Sequence, residues 1–100
     1  ERRDFETGTP GTLSAFDAVT PYLHFVTSTV TRGPRALKVV VDAGNGVGGI
    51  VSVPMLTKLG YDVVPLYCEP DGRFPNHHAD PTVAKNLEQI IAEVAKQGAD

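Results

Sequence analysis

The chain has 100 residues, of which 41% are apolar, and its formal net charge is −3. A chain of this length can bury a single core and hides about two-thirds of its unfolded surface. It contains no run of ~18 apolar residues that could span a bilayer, and its nine basic residues are scattered, so membrane and nucleic-acid partners are not expected. The single cysteine, Cys68, excludes an internal disulfide and predicts a cytoplasmic protein.

The N-terminal segment is polar and interrupted by glycine and proline, which predicts an interdomain linker over residues 1–13 and a partial domain over residues 14–100. A helix is expected next, with Thr20 as its N-cap and Pro21 at its first position, ending before Arg32-Gly33-Pro34. Its buried face should consist of Leu23, Val26, Thr27 and Val30.

The apolar run Lys38–Asp42 predicts a central strand, because its three valines suit a parallel sheet covered by helices on both faces. A second helix should run from the following glycine-rich turn to about Lys58, with Gly60 as its stop. Proline disfavours a helix interior, so we expect Ser52 to cap the regular part and Pro54 to lie in its first turn. The inward residues should be Ile50, Val51, Met55, Leu56 and Leu59.

A second strand is predicted at residues 62–67, near a sheet edge because Pro65 lacks a ladder donor. A long connection follows over residues 68–82, with a turn at Pro70-Asp71-Gly72 and order favoured by Phe74. An amphipathic helix should then end at Gly98. Its apolar stripe would consist of Val83, Leu87, Ile90, Ile91, Val94 and Ala95.

This alternation of strands and helices predicts an α/β fold, specifically a three-layer α/β/α domain with a mostly parallel sheet built from βαβ units. A crossover helix normally returns the chain to a further strand, whereas the sequence stops at Asp100. We therefore expect the sheet to be truncated before its next strand. Sites in open α/β sheets gather at the carboxyl ends of strands, so more chemistry is expected there.

The G-x-G-x-x-G spacing of dinucleotide-binding folds is met by Gly44, Gly46 and Gly49. Glu69 or Asp71 lies near the place of a ribose-binding acid, ~20 residues on, but the carboxylate of Asp42 would repel a pyrophosphate. A generic phosphate cradle is a second interpretation. We favour a structural turn, in which glycines allow positive φ and close helix packing while Asp42 or Asn45 bonds backbone amides.

The long connection carries a group of polar residues, His77-His78-Ala79-Asp80, that resembles a metal cluster. Adjacent residues on extended backbone point to opposite faces, so we favour imidazole-to-backbone hydrogen bonds that anchor the loop. The acidic residues of the loop are interpreted as turn and capping groups rather than an acid/base pair; they are Glu69, Asp71 and Asp80. Arg73 could meet an anionic substrate or a neighbouring domain.

Two motifs carry a family resemblance: Val-Val-Val-Asp-Ala-Gly-Asn-Gly-Val-Gly-Gly at residues 39–49, and the stretch from Leu-Gly-Tyr-Asp-Val-Val-Pro to Asn-His-His-Ala-Asp-Pro at residues 59–81. In order and spacing they resemble the second domain of the α-D-phosphohexomutases, most of all the bacterial phosphomannomutase/phosphoglucomutase members. The resemblance extends from Asp4 to Asp100 and is densest from Lys38 to Pro81.

The resemblance implies a four-domain cytoplasmic enzyme that interconverts hexose 1-phosphate and 6-phosphate through a phosphoserine enzyme and a bisphosphate intermediate. It implies a Mg²⁺ loop of the form Asp-Gly-Asp-x-Asp-Arg, which would begin beyond Asp100. Ser14, Ser28 and Ser52 do not match the phosphoserine motif. The implied partners are the other domains of the same chain and, in the full-length enzyme, a hexose phosphate.

No catalytic, cofactor-binding or metal-ligating residue is therefore predicted within this chain, and the segment alone should be catalytically silent. The positions that map onto the family scaffold are Asp42, Gly44, Asn45, Gly46, Asp71-Gly72, Phe74-Pro75 and Pro81. One alternative is a dinucleotide-binding (NAD/FAD) oxidoreductase module, based on the glycine spacing. Another is a non-catalytic interaction domain that uses the loop at residues 68–82.

Overall fold

The computed structural model describes residues 8–100. These residues form two parallel strands, three α-helices and one short 3-10 helix. In chain order the elements are α1 (Val19–Thr29), β1 (Lys38–Asp42), α2 (Gly48–Lys58), β2 (Asp62–Leu66), the 3-10 helix (Ala84–Leu87) and α3 (Glu88–Gln97). The predicted α/β class is confirmed. The linker prediction lies partly outside the described residues, because residues 1–7 are not among them.

The sheet places the ends of its two strands side by side. Lys38 pairs with Asp62 at one end of the ladder, and Asp42 pairs with Leu66 at the other. The strands are parallel, so the turn after β1 and the long loop after β2 leave from the same carboxyl edge. Within residues 8–100, β2 pairs with β1 alone, as Pro65 predicted for a strand at the edge.

The helices cover the sheet only in part. α2 packs on both strands and against α1, while α3 packs on β1. Leu23 of α1 is 5% exposed and is the one large apolar residue among the described residues that is buried. The strand valines are half-buried. No helix in the described part of the chain combines the length and apolar character needed to cross a membrane.

The start of α1 differs from the predicted cap. Asp17, not Thr20, supplies the capping oxygen: Oδ1 accepts hydrogen bonds from the amides of Val19 (3.0 Å) and Thr20 (3.1 Å). The Thr20 hydroxyl and amide hold the pKa of Asp17 below its usual value. The predicted inward face is confirmed for Leu23, Val26 and Thr27, which are buried or half-buried, but Val30 lies beyond the helix end and is exposed.

The prediction for the start of α2 was wrong. The helix begins at Gly48 and continues through Pro54, which therefore lies in its interior. A proline there cannot donate to the carbonyl four residues earlier, that of Ile50, and Ile50 is 47% exposed rather than inward. A carbonyl left without its helical donor in this way can be satisfied by water where it is accessible. Gly60 follows the helix at φ 84°, as predicted for its stop.

The later elements are shorter than predicted. β2 ends at Leu66, because Tyr67 adopts φ 50° and leaves the extended conformation. The last helical segment starts with the 3-10 turn, and three residues of its predicted apolar stripe are exposed: Val83, Ile91 and Ala95. Gly98 caps α3 at φ 60°, as predicted.

Candidate functional site

The turn after β1 and the loop after β2 are joined at the carboxyl edge of the sheet by Asn45. Its amide donates to the carbonyl of Tyr67 (2.7 Å), and its carbonyl accepts from the amide of Asp71 (2.8 Å). Its side chain, in a residue only 8% exposed, donates to the Glu69 carbonyl (2.9 Å) and accepts from Asn76 Nδ2 (2.8 Å). Asn45 thus holds the two segments together with both its backbone and its side chain.

Asp42 or Asn45 was expected to bond backbone amides, and in the structure the Asp42 side chain has this role. Asp42 does so: Oδ1 accepts from the amide of Gly44 at 2.8 Å. The Asn45 side chain instead bonds a carbonyl and another side-chain amide. Asn45 has φ 60°, a left-handed conformation that asparagine tolerates better than most residues.

Two glycines have the properties that the sequence predicted for a structural turn, namely a positive φ and a close approach between backbone segments. Gly44 has φ 51°. Gly49 lies so close to the end of β2 that a Cβ atom there would be 2.6 Å from the Cys68 carbonyl oxygen and 2.7 Å from the Cys68 Cβ. The N-terminus of α2 can approach this segment only without a side chain at residue 49, so the interpretation of close helix packing is confirmed.

The first amides of the turn are already hydrogen-bonded within the chain. Gly44 donates to Asp42, Asn45 to Tyr67, and Gly46 to the Ala43 carbonyl at 2.7 Å. A dinucleotide fingerprint presents amides of this kind to a pyrophosphate. The geometry therefore favours a packed turn over the dinucleotide-binding alternative.

His77 lies against Asp42 on the other side of the turn. Its Nε2 is 2.9 Å from Asp42 Oδ2, and its Nδ1 is 3.0 Å from the His78 carbonyl oxygen. Both contacts raise the pKa of His77, the one with the His78 carbonyl more than the one with Asp42, against the opposing effect of burial. The anchoring bond from imidazole to backbone is as predicted for His77. The His78 ring instead stacks on Phe74, with centroids 6.2 Å apart.

The acidic loop residues make local turns. Arg73 bonds Asp71 through Nε (2.9 Å) and Nη2 (2.6 Å), and this pairing lowers the pKa of the Asp71 carboxyl. The turn closes with the amide of Phe74 on the Asp71 carbonyl, one residue later than predicted. Asp80 accepts from the Thr82 hydroxyl and amide, which lowers its pKa. The turn roles of Asp71 and Asp80 are confirmed, whereas Glu69 contributes its backbone carbonyl.

A half-open cavity of about 300 Å³ lies between this edge and α3. Its walls include Asp42, Gly44, His77, Ala79, Leu87 and Ile90. Over residues 8–100, no three His, Cys, Asp or Glu side chains lie together as a metal would require. Cys68 is half-buried, with Sγ 3.4 Å from the Val41 carbonyl oxygen, in keeping with a packing role.

Sequence reasoning missed Asn76 and the pairing of His77 with Asp42. The available signal was topological: parallel strands bring the segments after them to one edge, so a polar residue at the end of β1 can meet polar residues of the later loop. Which residues would meet was not readable from spacing, because 31 residues separate Asn45 from Asn76 and 35 separate Asp42 from His77.

The fold and this edge define a βαβ unit of an open α/β domain, with its polar loops gathered where such domains build their sites. Comparison with protein families makes the assignment specific, since the description "Phosphoglucomutase/phosphomannomutase, alpha/beta/alpha domain II" matches residues 20–100. The chain belongs to this family. The resemblance found in the sequence is thereby confirmed.

Individual relatives carry names from the same family. A phosphomannomutase/phosphoglucomutase of Pseudomonas aeruginosa is 40% identical over 100 residues, which are 100% of this chain and 21% of that protein. A phosphoglucomutase of Neisseria meningitidis serogroup B is 39% identical over 93 residues, 93% of this chain and 20% of that protein. A crystal structure of a phosphoglucomutase/phosphomannomutase family protein from Burkholderia thailandensis matches with TM-score 0.80 at 38% identity, covering 85% of this chain and 18% of that one. The chain thus spans about a fifth of the length of these relatives.

Proposed function

We propose that this chain is the scaffold part of domain II in a cytoplasmic phosphomannomutase/phosphoglucomutase. The whole enzyme would interconvert hexose 1-phosphate and hexose 6-phosphate through a phosphoserine and a bisphosphate intermediate. Residues 1–13 would link it to a preceding domain, and residues 14–100 would form part of domain II. The observation that carries the proposal is the family match over residues 20–100.

Within residues 8–100 no strand lies on the side of β1 that faces away from β2, which supports a place there for the next strand. The Leu37 carbonyl accepts from Asp62, and the Ala43 amide donates to Leu66, so odd-numbered backbone groups of β1 face β2. Lys38 faces the opposite edge, where its carbonyl accepts from the amide of Asp100 (3.0 Å) and its amide donates to Asp100 Oδ2 (3.0 Å). A strand continuing from Asp100 in this direction would end beside Asp42 and the glycine turn.

The Mg²⁺ loop implied by the family would follow that strand. When bound, Mg²⁺ neutralises charge on the transferring phosphoryl group. The described residues supply no cluster of ligands for it, so none is assigned to the ion. The proposed role of this chain is to hold the carboxyl edge in place: Asp42 and Asn45 fix the turn, and the loop packs against it.

The test compares two proteins in a coupled assay with glucose 1-phosphate and mannose 1-phosphate. We expect the protein expressed from the complete reading frame to convert at least one of these sugars in a Mg²⁺-dependent way, and the 100-residue chain to convert neither. Failure of the complete protein with both sugars would contradict the proposal, and so would turnover by the 100-residue chain alone.

A further inference from the structure

The imidazole of His77 lies between two hydrogen-bond acceptors. One is Oδ2 of Asp42, 2.9 Å from Nε2, and the other is the backbone carbonyl oxygen of His78, 3.0 Å from Nδ1. The His77 and Asp42 side chains are 15% and 7% exposed. Bulk water therefore has little access to either partner.

The number of protons on the ring decides whether both contacts are favourable. A carbonyl oxygen and an ionised carboxylate can only accept hydrogen bonds, and a neutral imidazole has a single N–H to donate. A neutral His77 would leave one ring nitrogen with its lone pair directed at an oxygen. The imidazolium satisfies both contacts and places a positive charge beside the carboxylate.

The position of this pair connects segments that are distant in the chain. Asp42 also binds the amide of Gly44, so His77 is joined through it to the glycine turn. His77 and Ala79 both pack against Gly44 of the turn. The Cε1 atom of His77 lies 3.1 Å from the point where a Cβ atom on Gly44 would stand. Together with Asn45, the pair fastens the long loop to the turn at two separate points.

We propose that His77 is a positioning residue that holds the loop at residues 67–82 on the turn as an imidazolium, and that loss of its proton loosens this edge of the domain. The inference goes beyond the proposed function and can be tested on this chain without any assay of catalysis. It predicts a loop whose attachment weakens as the pH rises through the neutral range.

The other titratable groups near His77 come from each element packed around it. The Tyr67 and His77 rings form a T-shaped pair with centroids 5.7 Å apart. The surrounding cavities are lined by Asp42 of β1, His78 and Asp80 of the loop, Lys85 of the 3-10 helix and Glu88 of α3. Of these, the Asp42 carboxylate alone forms an ion pair with His77. The His78 carbonyl, followed by the hydrogen bond and the charge of Asp42, raises the pKa of His77 against the opposing effect of burial.

The sign of the pH effect follows from that direction. A group whose pKa is raised on folding contributes stability that is fully present below its unfolded value, about 6.5 for histidine, and that is lost as the pH rises through its folded value. We expect the urea concentration at the midpoint of unfolding to decrease as the pH rises above about 6.5. His77→Gln should remove this part of the pH dependence.

The decisive measurement is ¹⁵N NMR of the histidine rings in the unaltered 100-residue chain. We expect both His77 nitrogens to carry protons at a pH where the same residue is largely neutral in urea. His78→Gln is the matched control, because it removes an adjacent imidazole but keeps the backbone carbonyl that His77 uses. It should leave the His77 spectrum unchanged, whereas Asp42→Asn should lower the titration midpoint.

Three results would overturn the inference. The first is a His77 midpoint equal to that in urea. The second is a neutral ring in which Nε2 carries no proton, because the shared proton would then belong to Asp42. The third is an imidazolium at His77, with both ring nitrogens protonated, combined with a pH dependence of stability that is the same in His77→Gln as in the unaltered chain. Each uses the chain itself, so a failed mutase assay would not produce any of them.

Discussion

Asn45 is the residue on which the carboxyl edge most depends. Its backbone adopts φ 60°, and its amide side chain connects two points of the loop, the Glu69 carbonyl and the Asn76 side chain. A buried hydrogen bond of this kind contributes about 1 kcal/mol. A left-handed conformation costs most residues a further ~1–2 kcal/mol, so conformation and side-chain chemistry both favour asparagine here.

Asn45→Ala should lower the free energy of unfolding by about 2–4 kcal/mol. The substitution removes both side-chain hydrogen bonds, and alanine at positive φ has no hydrogen bond of its own to offset the conformational cost. Asn45→Gly is the matched control, since glycine loses the same bonds but adopts this φ freely. We expect urea unfolding to rank the variants as asparagine, then glycine, then alanine. Equal stabilities for glycine and alanine would show that the backbone conformation contributes nothing.

At the scale of elements, the start of α2 is defined by how closely it approaches the end of β2. Gly49 is buried against Cys68, whereas a Cβ at the neighbouring Gly48 would meet nothing within 4 Å. The two glycines are adjacent on the same helix, so they differ in packing far more than in intrinsic helix preference. They form a natural pair for comparison.

Gly49→Ala should destabilise the chain by up to about 2 kcal/mol, because overpacking against Cys68 outweighs the ~1 kcal/mol by which alanine favours a helix. Gly48→Ala should leave the stability unchanged or raise it by as much as ~1 kcal/mol. Thermal or urea unfolding of both variants checks this. A stabilising Gly49→Ala would contradict the close approach of helix and strand.

The sequence predicted elements better than it predicted their contacts. The valines of β1 and the left-handed stop at Gly98 follow from local patterns, and both lie where expected. The start of α2 was misjudged because a proline was taken as a boundary, whereas the helix begins at Gly48 and continues through Pro54. The pairing of Asp42 with His77 joins residues far apart in the chain, and no local pattern encodes such a distance.

At the scale of the whole molecule, much apolar surface remains uncovered. Leu13 is fully exposed and Phe16 is 81% exposed, whereas Leu23 on the following helix is buried. Isolated exposed apolar residues are common, but these two lie close together before the first helix, in a segment whose residues 8–18 are all exposed. Under the proposed function, the preceding domain of the longer protein would cover them.

Leu13→Ser should change the stability of the 100-residue chain by less than about 0.5 kcal/mol, as expected for an exposed site. Leu23→Ala should cost about 2–4 kcal/mol, because it leaves a cavity between α1 and α2. Urea unfolding of the two variants measures the contrast. In the complete protein we expect Leu13→Ser to become destabilising, and an unchanged stability there would argue against a covering domain.

The central claim is that the glycine turn is a packed scaffold rather than a nucleotide site, and hydrogen exchange of the amides of Gly44, Asn45 and Gly46 tests it most directly. All three donate within the chain, to Asp42, Tyr67 and Ala43. We predict slow exchange in the 100-residue chain without any ligand, and no change on adding NAD. Fast exchange that becomes slow when NAD is added would contradict the account.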